Sequence, residues 1–416
     1  MSISFSTALS ALSAFSTAIS VTGNNLANLN TIGFKSSEVS FHDLVTQSIS
    51  AGLGNTQVGF GVGTPTTEAL YTQGAVQTTG GTLDAAIQGA GFFVIQGPGG
   101  STEYTRAGNF QTDQQGDLQT ATGQTVQGWT QVNGVLNTNA PPGNITIPTG
   151  TVQPPVVTSN FSFDLNLNAA AVPGSPTGTF ATSVTVYDSL GVSHVVTATF
   201  TQDPTTAGQW NYSISIPDAD VATPPATVLT GSINFNSSGI LTVPAATDPA
   251  PQLAITGLAD GAADMTINWD LYNGTAPRLT QFAQPSSVSA VAQDGASAAQ
   301  LTTVAIAAGG AVLAQFSNGQ QTVVGQLAMA TVRNPDSLLA VGNNNYQLSA
   351  LSALPAVGLP GTGGRGTVQG GAVESSTVDV ATEFTNLIVY QRGYEANSKV
   401  ISAVDELSQT TINLIK

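Results

Sequence analysis

The first thirty-four residues constrain the fold most, because they form a helical pattern that needs a partner. Apolar side chains recur there at intervals of seven, with others three or four apart, which is the spacing of a coiled-coil seam. The seam comprises Phe5, Leu9, Leu12, Phe15, Ile19 and Leu26. No charged residue occurs before Lys35, so the opposite face carries Ser, Thr and Asn instead of Glu and Lys. The pattern predicts a helix that is covered on more than one side.

The energetics of this segment also call for a partner. A single helix over residues 4–28 would be about 37 Å long, and ordering its backbone would cost on the order of 25 to 50 kcal/mol. Burial of each seam side chain returns roughly 1.5 to 3 kcal/mol, and the sum is smaller than the cost. We therefore expect the isolated segment to be largely disordered.

A second seam near the C-terminus supplies a candidate partner. Its apolar side chains recur with the same period between residues 378 and 415. They are Val380, Phe384, Leu387, Tyr394, Ile401, Val404 and Leu414. Charged residues such as Arg392, Glu395 and Lys399 accompany them, so one face of this helix meets water. Two arrangements stay open: a layered assembly with the neutral helix sandwiched and the charged helix lining an aqueous surface, or an intramolecular helix pair that closes a globular domain.

The composition excludes several classes of partner. Eight basic residues face twenty-four acidic ones, and this net charge of -16 repels nucleic acid and anionic lipid. The chain has no cysteine, so disulfides and thiolate chemistry are excluded. The N-terminus lacks the basic region and the continuous apolar core of a Sec signal peptide, and no run of about eighteen apolar residues occurs. We expect no membrane insertion and an export route, if any, that does not use a cleaved Sec signal.

The sequence shows no arrangement typical of a catalytic, cofactor or metal site. His42 lies beside Asp43, but no nucleophile is near in sequence. His194 lies in a strand pattern far from the other histidine, and Asp218 and Asp220 lack the Gly and Glu that would complete a calcium loop. We therefore predict a chain that is not an enzyme and has no catalytic, cofactor-binding or metal residues.

The remaining sequence predicts two mainly β domains, one inserted into the other. Residues 71–147 and 289–357 contain short alternating strands separated by Gly and Asp turns, and predict an inner β domain. Residues 148–288 turn to Pro, Thr and Ala with alternating apolar strands, and predict an outer β domain. Residues 35–70 and 358–373 read as a connector, and 1–34 with 374–416 as a terminal helical domain. The predicted fold class is multidomain α+β, with a coiled-coil-like inner domain of terminal helices.

Several motifs resemble the bacterial flagellar rod and hook family. The string NNLANLNTIGFK, which contains Asn24, Asn25, Asn28 and Gly33, resembles the family's N-terminal signature, where the first helix gives way to a linker. YTRAGNF and the C-terminal run with YEANSKVI resemble other family signatures. The hairpin SVTVYDSLGVSHVVTATF resembles one in the outer domain of hook proteins, which favours the hook branch. Repeated Asn and Gly supply caps and positive-φ positions that end a helix.

The resemblance implies a structural role. A hook subunit polymerises into a curved, flexible tube that acts as a universal joint, transmits torque from rod to filament and encloses the export channel. The implied partners are further copies of the chain, the rod, hook-cap and hook-filament junction proteins, and the flagellar type III export apparatus. The implied location is extracellular, outside the outer membrane or cell wall. Three alternatives are weaker. The long insertion argues against a distal rod protein, and the two terminal seams argue against an adhesin-like module. The lack of a nucleophile-base pair argues against a β-rich hydrolase.

Overall fold

Two long helices lie at the ends of the chain, and the described residues between them form strands, turns and short 3-10 helices. The computed structural model describes residues 2–44, 47–50, 55–132, 135–150, 152–223 and 227–414. Helix α1 spans Ser2–Ala27 and helix α2 spans Val380–Leu414. The prediction of terminal helices around a β-rich body is confirmed.

The strands follow one another closely along the chain. Those before the insertion are β1 (Ser37–Ser40), β2 (Gln47–Ser50), β3 (Asn55–Val58), β4 (Thr66–Ala69), β5 (Val76–Thr78), β6 (Ala85–Gln88), β7 (Phe92–Gln96), β8 (Thr102–Thr105), β9 (Phe110–Thr112), β10 (Leu118–Thr120), β11 (Thr125–Val132), β12 (Val135–Leu136) and β13 (Gly143–Asn144). The next are β14 (Val152–Gln153), β15 (Asn160–Asn168), β16 (Thr179–Tyr187), β17 (Ser193–Gln202), β18 (Gln209–Ser215), β19 (Thr227–Phe235), β20 (Leu241–Val243), β21 (Gln252–Ile255), β22 (Met265–Trp269), β23 (Tyr272–Asn273), β24 (Ala276–Pro277), β25 (Leu279–Phe282) and β26 (Ser287–Gln293). The last are β27 (Ala299–Ile306), β28 (Ala311–Phe316), β29 (Gln321–Leu327), β30 (Met329–Thr331), β31 (Leu339–Gly342), β32 (Asn345–Gln347), β33 (Ala356–Gly358), β34 (Thr367–Gly370) and β35 (Ala372–Glu374).

The chain forms two compact units. Unit 1 comprises residues 1–149, 303–315 and 321–416, and unit 2 comprises residues 150–302 and 316–320. The division of the chain into four parts, with boundaries at 35, 71, 148 and 289, stays a prediction.

The β body of unit 1 is assembled from both halves of the chain. Strand β7 is its centre, because it pairs with β8, β11 and β30, and its residues Phe92 to Ile95 are buried. The late strands return to the early ones: β29 pairs with β11, β32 with β8, β34 with β6 and β35 with β5. The last of these pairs places Glu374, six residues before α2, opposite Val76 of β5.

Unit 2 consists of two sheets around one apolar core. Strands β16 to β20 form an antiparallel sheet in chain order, while β15 lies in a second sheet with β22, β25 and β26. The predicted alternation is confirmed, since Phe161 and Phe163 of β15 are buried, as is Trp210 of β18. Trp269 packs on aromatic rings from both sheets, with ring centroids 6.1 Å from Phe161 and 6.0 Å from Phe200. The predicted hairpin is also confirmed, because β16 and β17 pair throughout and Gly191 turns the chain between them.

Helix α1 is long and apolar enough between Phe5 and Ala27 to cross a membrane by length and composition alone. One such helix near an N-terminus is weak evidence, because the core helix of a soluble protein passes the same test. In unit 1 this helix packs along α2 instead.

Candidate assembly interface

The face of α1 that is buried within the chain is made of small side chains. The buried residues of this helix, in the part whose side chains are described, are Ala8, Ala11, Ala14, Ala18, Thr22 and Asn25. Their spacing of three and four is helical, but it is offset from the predicted seam. Within the seam, Leu12, Phe15, Ile19 and Leu26 are half-buried, whereas Phe5 and Leu9 are exposed, Leu9 by 53%. Small residues allow two helix backbones to approach closely, so the contact buries little side-chain area.

One aromatic side chain of the predicted seam does pack between the helices. The ring of Phe15 lies on the backbone of Gly393, where an added Cβ would be 2.6 Å from Phe15 Cζ. Phe41, just beyond β1, and Tyr390 complete an aromatic cluster, with their ring centroids 5.6 and 6.4 Å from Phe15. Gly393 is therefore the position at which the Phe15 ring packs against α2.

The predicted seam of α2 is divided between covered and exposed positions. Leu387, Ile401 and Val404 are half-buried, whereas Val380, Phe384 and Tyr394 are exposed. Leu414 is the last residue of the helix, and its side chain lies outside the described residues. The role of both seams in assembly stays a prediction.

A second apolar stripe on α2 was missed by the sequence reasoning. Val389, Ala396, Val400, Ala403 and Leu407 recur at intervals of seven, four, three and four, and all of them are exposed. Leu407 has the largest exposed fraction of the large side chains in this stripe, 60%. The stripe could have been found in the sequence, since it has the same coiled-coil period as the seam. The prediction chose the seam because the seam contains more large side chains.

Most charged side chains in the middle and later turns of α2 lie away from α1. Arg392, Glu395, Lys399 and Glu406 share one face by the helical period of 3.6 residues, opposite Tyr390 and Gly393. All four are exposed. The helix therefore presents a packed face, an apolar flank and a charged outer face.

The start of α2 is fixed by an aspartate. Asp379 Oδ1 accepts a hydrogen bond of 2.9 Å from the backbone N–H of Thr382, so Asp379 is the N-cap. The cap lies immediately before Val380, which is the first residue of the helix.

The helix-to-connector motif joins the ends of both helices. Asn25 is buried, and its Nδ2 donates to Glu383 Oε1 and to the carbonyl of Ser37, each at 2.8 Å. Its Oδ1 accepts from the Ser37 N–H at 3.0 Å. Burial raises the pKa of Glu383, and the nearby charges of Asp379 and Glu38 act in the same direction. Asn25 therefore links the last turn of α1, the first turn of α2 and strand β1.

The other predicted motif residues end α1. Asn28 Nδ2 donates to the carbonyl of Asn24 at 2.9 Å, and Asn28 Oδ1 accepts from Thr31 Oγ1 at 3.0 Å. Gly33 has a φ of +69° and donates to the carbonyl of Glu374 at 2.8 Å. A Cβ at Gly33 would lie 2.6 Å from the carbonyl carbon of Arg106. The predicted positive-φ position is confirmed, and the close approach to the β body explains why a glycine occupies it.

A buried group of charges lies below this motif. Glu374 Oε1 is 2.6 Å from Lys35 Nζ, and Glu374 Oε2 is 3.1 Å from Arg106 Nη1. The side chains of Lys35 and Glu374 are 0% exposed and that of Arg106 is 4% exposed. Burial lowers the pKa of Lys35, and the charge of Glu374 opposes this effect. The sequence reasoning did not single out these residues, although Lys35 follows a long uncharged stretch in a chain with only eight basic residues.

Unit 2 holds its own group of titratable residues. His194 Nε2 lies 3.0 Å from Asp188 Oδ2 and 3.7 Å from Asp260 Oδ2, and His194 Nδ1 lies 3.2 Å from Asp220 Oδ2. Burial lowers the pKa of His194, but hydrogen bonds to Asp188 and Asp220 outweigh burial and hold the pKa above its usual value. Asp188, His194 and Asp260 offer ligand atoms close enough together for a metal ion. The ring is satisfied by the aspartates, and the predicted absence of a metal site stays a prediction.

The other histidine pair considered in the sequence is at the surface. His42 Nε2 lies 3.1 Å from Thr66 Oγ1, and Asp43 forms an isolated backbone bridge with Val62. Both residues are exposed. These contacts join the start of the connector to residues 62–66, and their role is structural.

Comparison with known proteins shows the family. Models of flagellar families match four stretches: the basal body rod protein at 5–35, the hook protein FlgE/F/G D1 domain at 86–162, the basal body protein FlaE D2 domain at 164–296, and the rod FlgEFG protein C-terminal region at 369–414. The flagellar hook protein FlgE of Treponema pallidum is 33% identical over 96% of this chain and 96% of its own length. The chain belongs to the flagellar hook protein family.

Other relatives agree with this membership. The flagellar hook protein of Salmonella typhimurium is 32% identical over 99% of this chain and all of its own length. A crystal structure of a Helicobacter pylori flagellar hook protein shares the fold with a TM-score of 0.52 at 15% identity, over 70% of this chain and 98% of that one. This member of the hook family is a structural subunit of the bacterial flagellar hook, a component external to the cell, and not an enzyme.

Proposed function

We propose that this subunit polymerises through its terminal helices into the curved, flexible tube of the hook. The tube acts as a universal joint, transmits torque from rod to filament and encloses the export channel. In this arrangement residues 1–34 and 374–416 form the inner tube, 71–147 with 289–357 form the inner β domain, and 148–288 form an inserted outer domain. The name of the family and the membership of this chain support the proposal.

The exposed stripe of α2 is the observation that carries the proposal. Val389, Val400 and Leu407 are exposed although they recur with a coiled-coil period. Exposed apolar stripes of this kind mark contacts with other chains. The neutral surface of α1 supports the same conclusion, because Leu9 is exposed and α1 itself carries no charged side chain. A helix of a neighbouring copy is the partner that matches the period of both surfaces.

The charged face of α2 supports an aqueous channel inside the tube. Arg392, Glu395 and Lys399 are exposed on the face away from α1. Charged side chains need water, whereas the apolar flank needs a neighbouring helix. If α2 is the innermost helix, its charged face lines the channel and its flank contacts the next subunit.

The partners follow from the same proposal. Further copies of the chain form the tube, the rod protein lies at one end, and the hook-cap and hook-filament junction proteins act at the other. The flagellar type III apparatus exports the subunit without a cleaved Sec signal, and the hook extends outside the outer membrane or cell wall. Bending is assigned to contacts of the outer domain, so tubes assembled without residues 148–288 are expected to lose their normal curvature and bending stiffness.

The assembly experiment replaces one exposed side chain of the stripe. Complete burial of a leucine is worth about 1.5 to 3 kcal/mol, and Leu407 is 60% exposed. Leu407→Ser is therefore expected to raise the critical concentration for tube formation roughly four-fold to twenty-fold, at about 1.4 kcal/mol per factor of ten. Sedimentation of tubes over a concentration series measures this value. Glu406→Ser is the matched control, because it places serine on the charged face of the same turn. Equal critical concentrations for the two variants would refute the assignment of the stripe to the interface.

A further inference from the structure

Glu374 joins both terminal segments to the β body at one buried point. Lys35 belongs to the segment that follows α1, Glu374 is the last residue of β35 before α2, and Arg106 follows β8. Glu374 Oε1 also accepts a hydrogen bond of 2.7 Å from the backbone N–H of Gly74. The carbonyl of Glu374 accepts from Gly33, so its backbone holds the N-terminal segment as well. One residue thus contacts each of the segments that must be joined.

The two cations around Glu374 are themselves held by the body. Lys35 Nζ donates to the carbonyl of Thr72 at 2.6 Å. Arg106 Nη2 donates to the carbonyl of Gly89 at 2.8 Å, and its guanidinium lies 5.3 Å from the centre of the Phe92 ring. Both cations are therefore held by backbone carbonyls of the loops at Thr72 and Gly89 as well as by Glu374.

Burial makes this arrangement specific for one orientation. A charge that is removed from water and loses its partner is strongly unfavourable. Any rotation of the terminal segments relative to the body would separate Glu374 from Lys35 or from Arg106 with no water to replace them. Asn344 adds a further contact, since its Nδ2 donates to the carbonyl of Ile32 at 2.7 Å. The junction therefore favours a single orientation more than a surface ion pair would.

We propose that Glu374 is a positioning residue that fixes the orientation of the α1–α2 pair on the β body of the same subunit. When the body turns, the helices turn with it, and torque passes between the two through this buried junction. The role in torque rests on the proposed function, whereas the positioning role does not.

The test measures the orientation directly, by the distance between two spin labels in assembled tubes. The chain has no cysteine, so cysteines introduced at the exposed positions Ser398 of α2 and Thr112 of β9 are the only labelled sites. Labelled subunits are mixed with an excess of unlabelled subunits before assembly, so that each labelled subunit is isolated in its tube. Pulsed electron–electron double resonance then gives the distribution of distances between the two labels of one subunit. We expect one narrow distribution in the otherwise unchanged chain. In Glu374→Gln, which keeps the size of the side chain and removes its charge, we expect the width to at least double.

Matched variants separate positioning from a general loss of stability. Asp164→Asn breaks the ion pair with Arg278, whose side chains are 39% and 24% exposed, and is expected to leave the width unchanged. Lys35→Met is expected to broaden the distribution, and Lys35→Arg to restore most of the narrow distribution because the charge remains. A second label pair at Ser16 and Ser398 reports the packing of the helices and is expected to keep its width in every variant.

The outcomes decide between the two claims. An unchanged width in both Glu374→Gln and Lys35→Met would overturn the proposal. A Glu374→Gln subunit that unfolds and does not enter tubes would also count against it, because the residue would then be required for folding of the body itself. If the unchanged chain formed no tubes, the proposed function would be refuted instead, and the role in torque would be refuted with it.

Discussion

Replacement of Gly33 by alanine tests the junction between the N-terminal motif and the β body. Gly33 has a φ of +69°, and an added Cβ would lie 2.6 Å from Arg106 C and 2.7 Å from Ala107 N. Both of these atoms belong to the backbone, so the overlap cannot be relieved by rotation of a side chain. The substitution therefore combines conformational strain with a steric clash.

Two other glycines separate the conformational strain from the steric clash, one with strain alone and one with neither. Gly80 has a φ of +75° with open space around it, so Gly80→Ala introduces strain alone. Gly23 lies in α1 with nothing within 4 Å, so Gly23→Ala improves helix propensity without a clash. We expect a loss of about 1 to 2 kcal/mol in unfolding free energy for Gly80→Ala and a gain of about 0.5 to 1 kcal/mol for Gly23→Ala. Gly33→Ala adds an overlap worth about 1 to 3 kcal/mol, for a total loss of roughly 2 to 5 kcal/mol.

Urea unfolding of assembled tubes, in which both ends of the chain are expected to be ordered, is followed by amide hydrogen exchange. Peptides from residues 85–132 report the β body, which separates its unfolding from that of unit 2. The lower entropy of an unfolded chain with alanine in place of glycine is common to all three variants and cancels in the comparison. If Gly33→Ala cost no more than Gly80→Ala, the contact between the motif and the body would not be as described.

Two further predictions concern other parts of the molecule. The pKa of His194 is held above its usual value, so its contribution to the stability of unit 2 is fully present below about pH 6.5 and is lost as the pH rises through the pKa of the folded state. Thermal unfolding between pH 5.5 and 9 is expected to show this decline, and His194→Gln to remove it, whereas the surface variant His42→Gln retains it. Gly393→Leu is expected to push Phe15 from the surface of α2, which would accelerate hydrogen exchange in both helices within the tube. Gly23→Leu, at an open position of α1, is expected to leave that exchange unchanged.

The sequence predicted elements better than their contacts. Alternation gave the buried faces of β15 and β18 correctly, because each strand buries one face along its whole length. The heptad period gave both helices, but not which face of α1 is covered within the chain. Large side chains were assigned to the seam, whereas the face of α1 that is buried within the chain carries Ala8, Ala11, Ala14 and Ala18.

The buried polar groups could not be predicted from local patterns. Glu374 meets Lys35 and Arg106 only after the chain has formed the whole body, and each of the three lies in a separate segment. His194 similarly meets Asp260 from a distant loop. Gly33 was different, because the Asn- and Gly-rich motif around it signals a turn by itself. Contacts between distant segments thus required the structure, while turns and periodic faces did not.

The most direct test of assembly through the terminal helices is amide hydrogen exchange of residues 1–34 and 374–416 in the purified subunit and in tubes. Within one chain, the buried face of α1 is mostly alanine, while Leu9 and Leu407 stay exposed. Burial of this kind returns too little free energy to order the two ends. We therefore predict rapid exchange of both ends in the subunit and strong protection in the tube. Full protection of both ends in a verified monomer would contradict this account and would show that the intramolecular helix pair is sufficient.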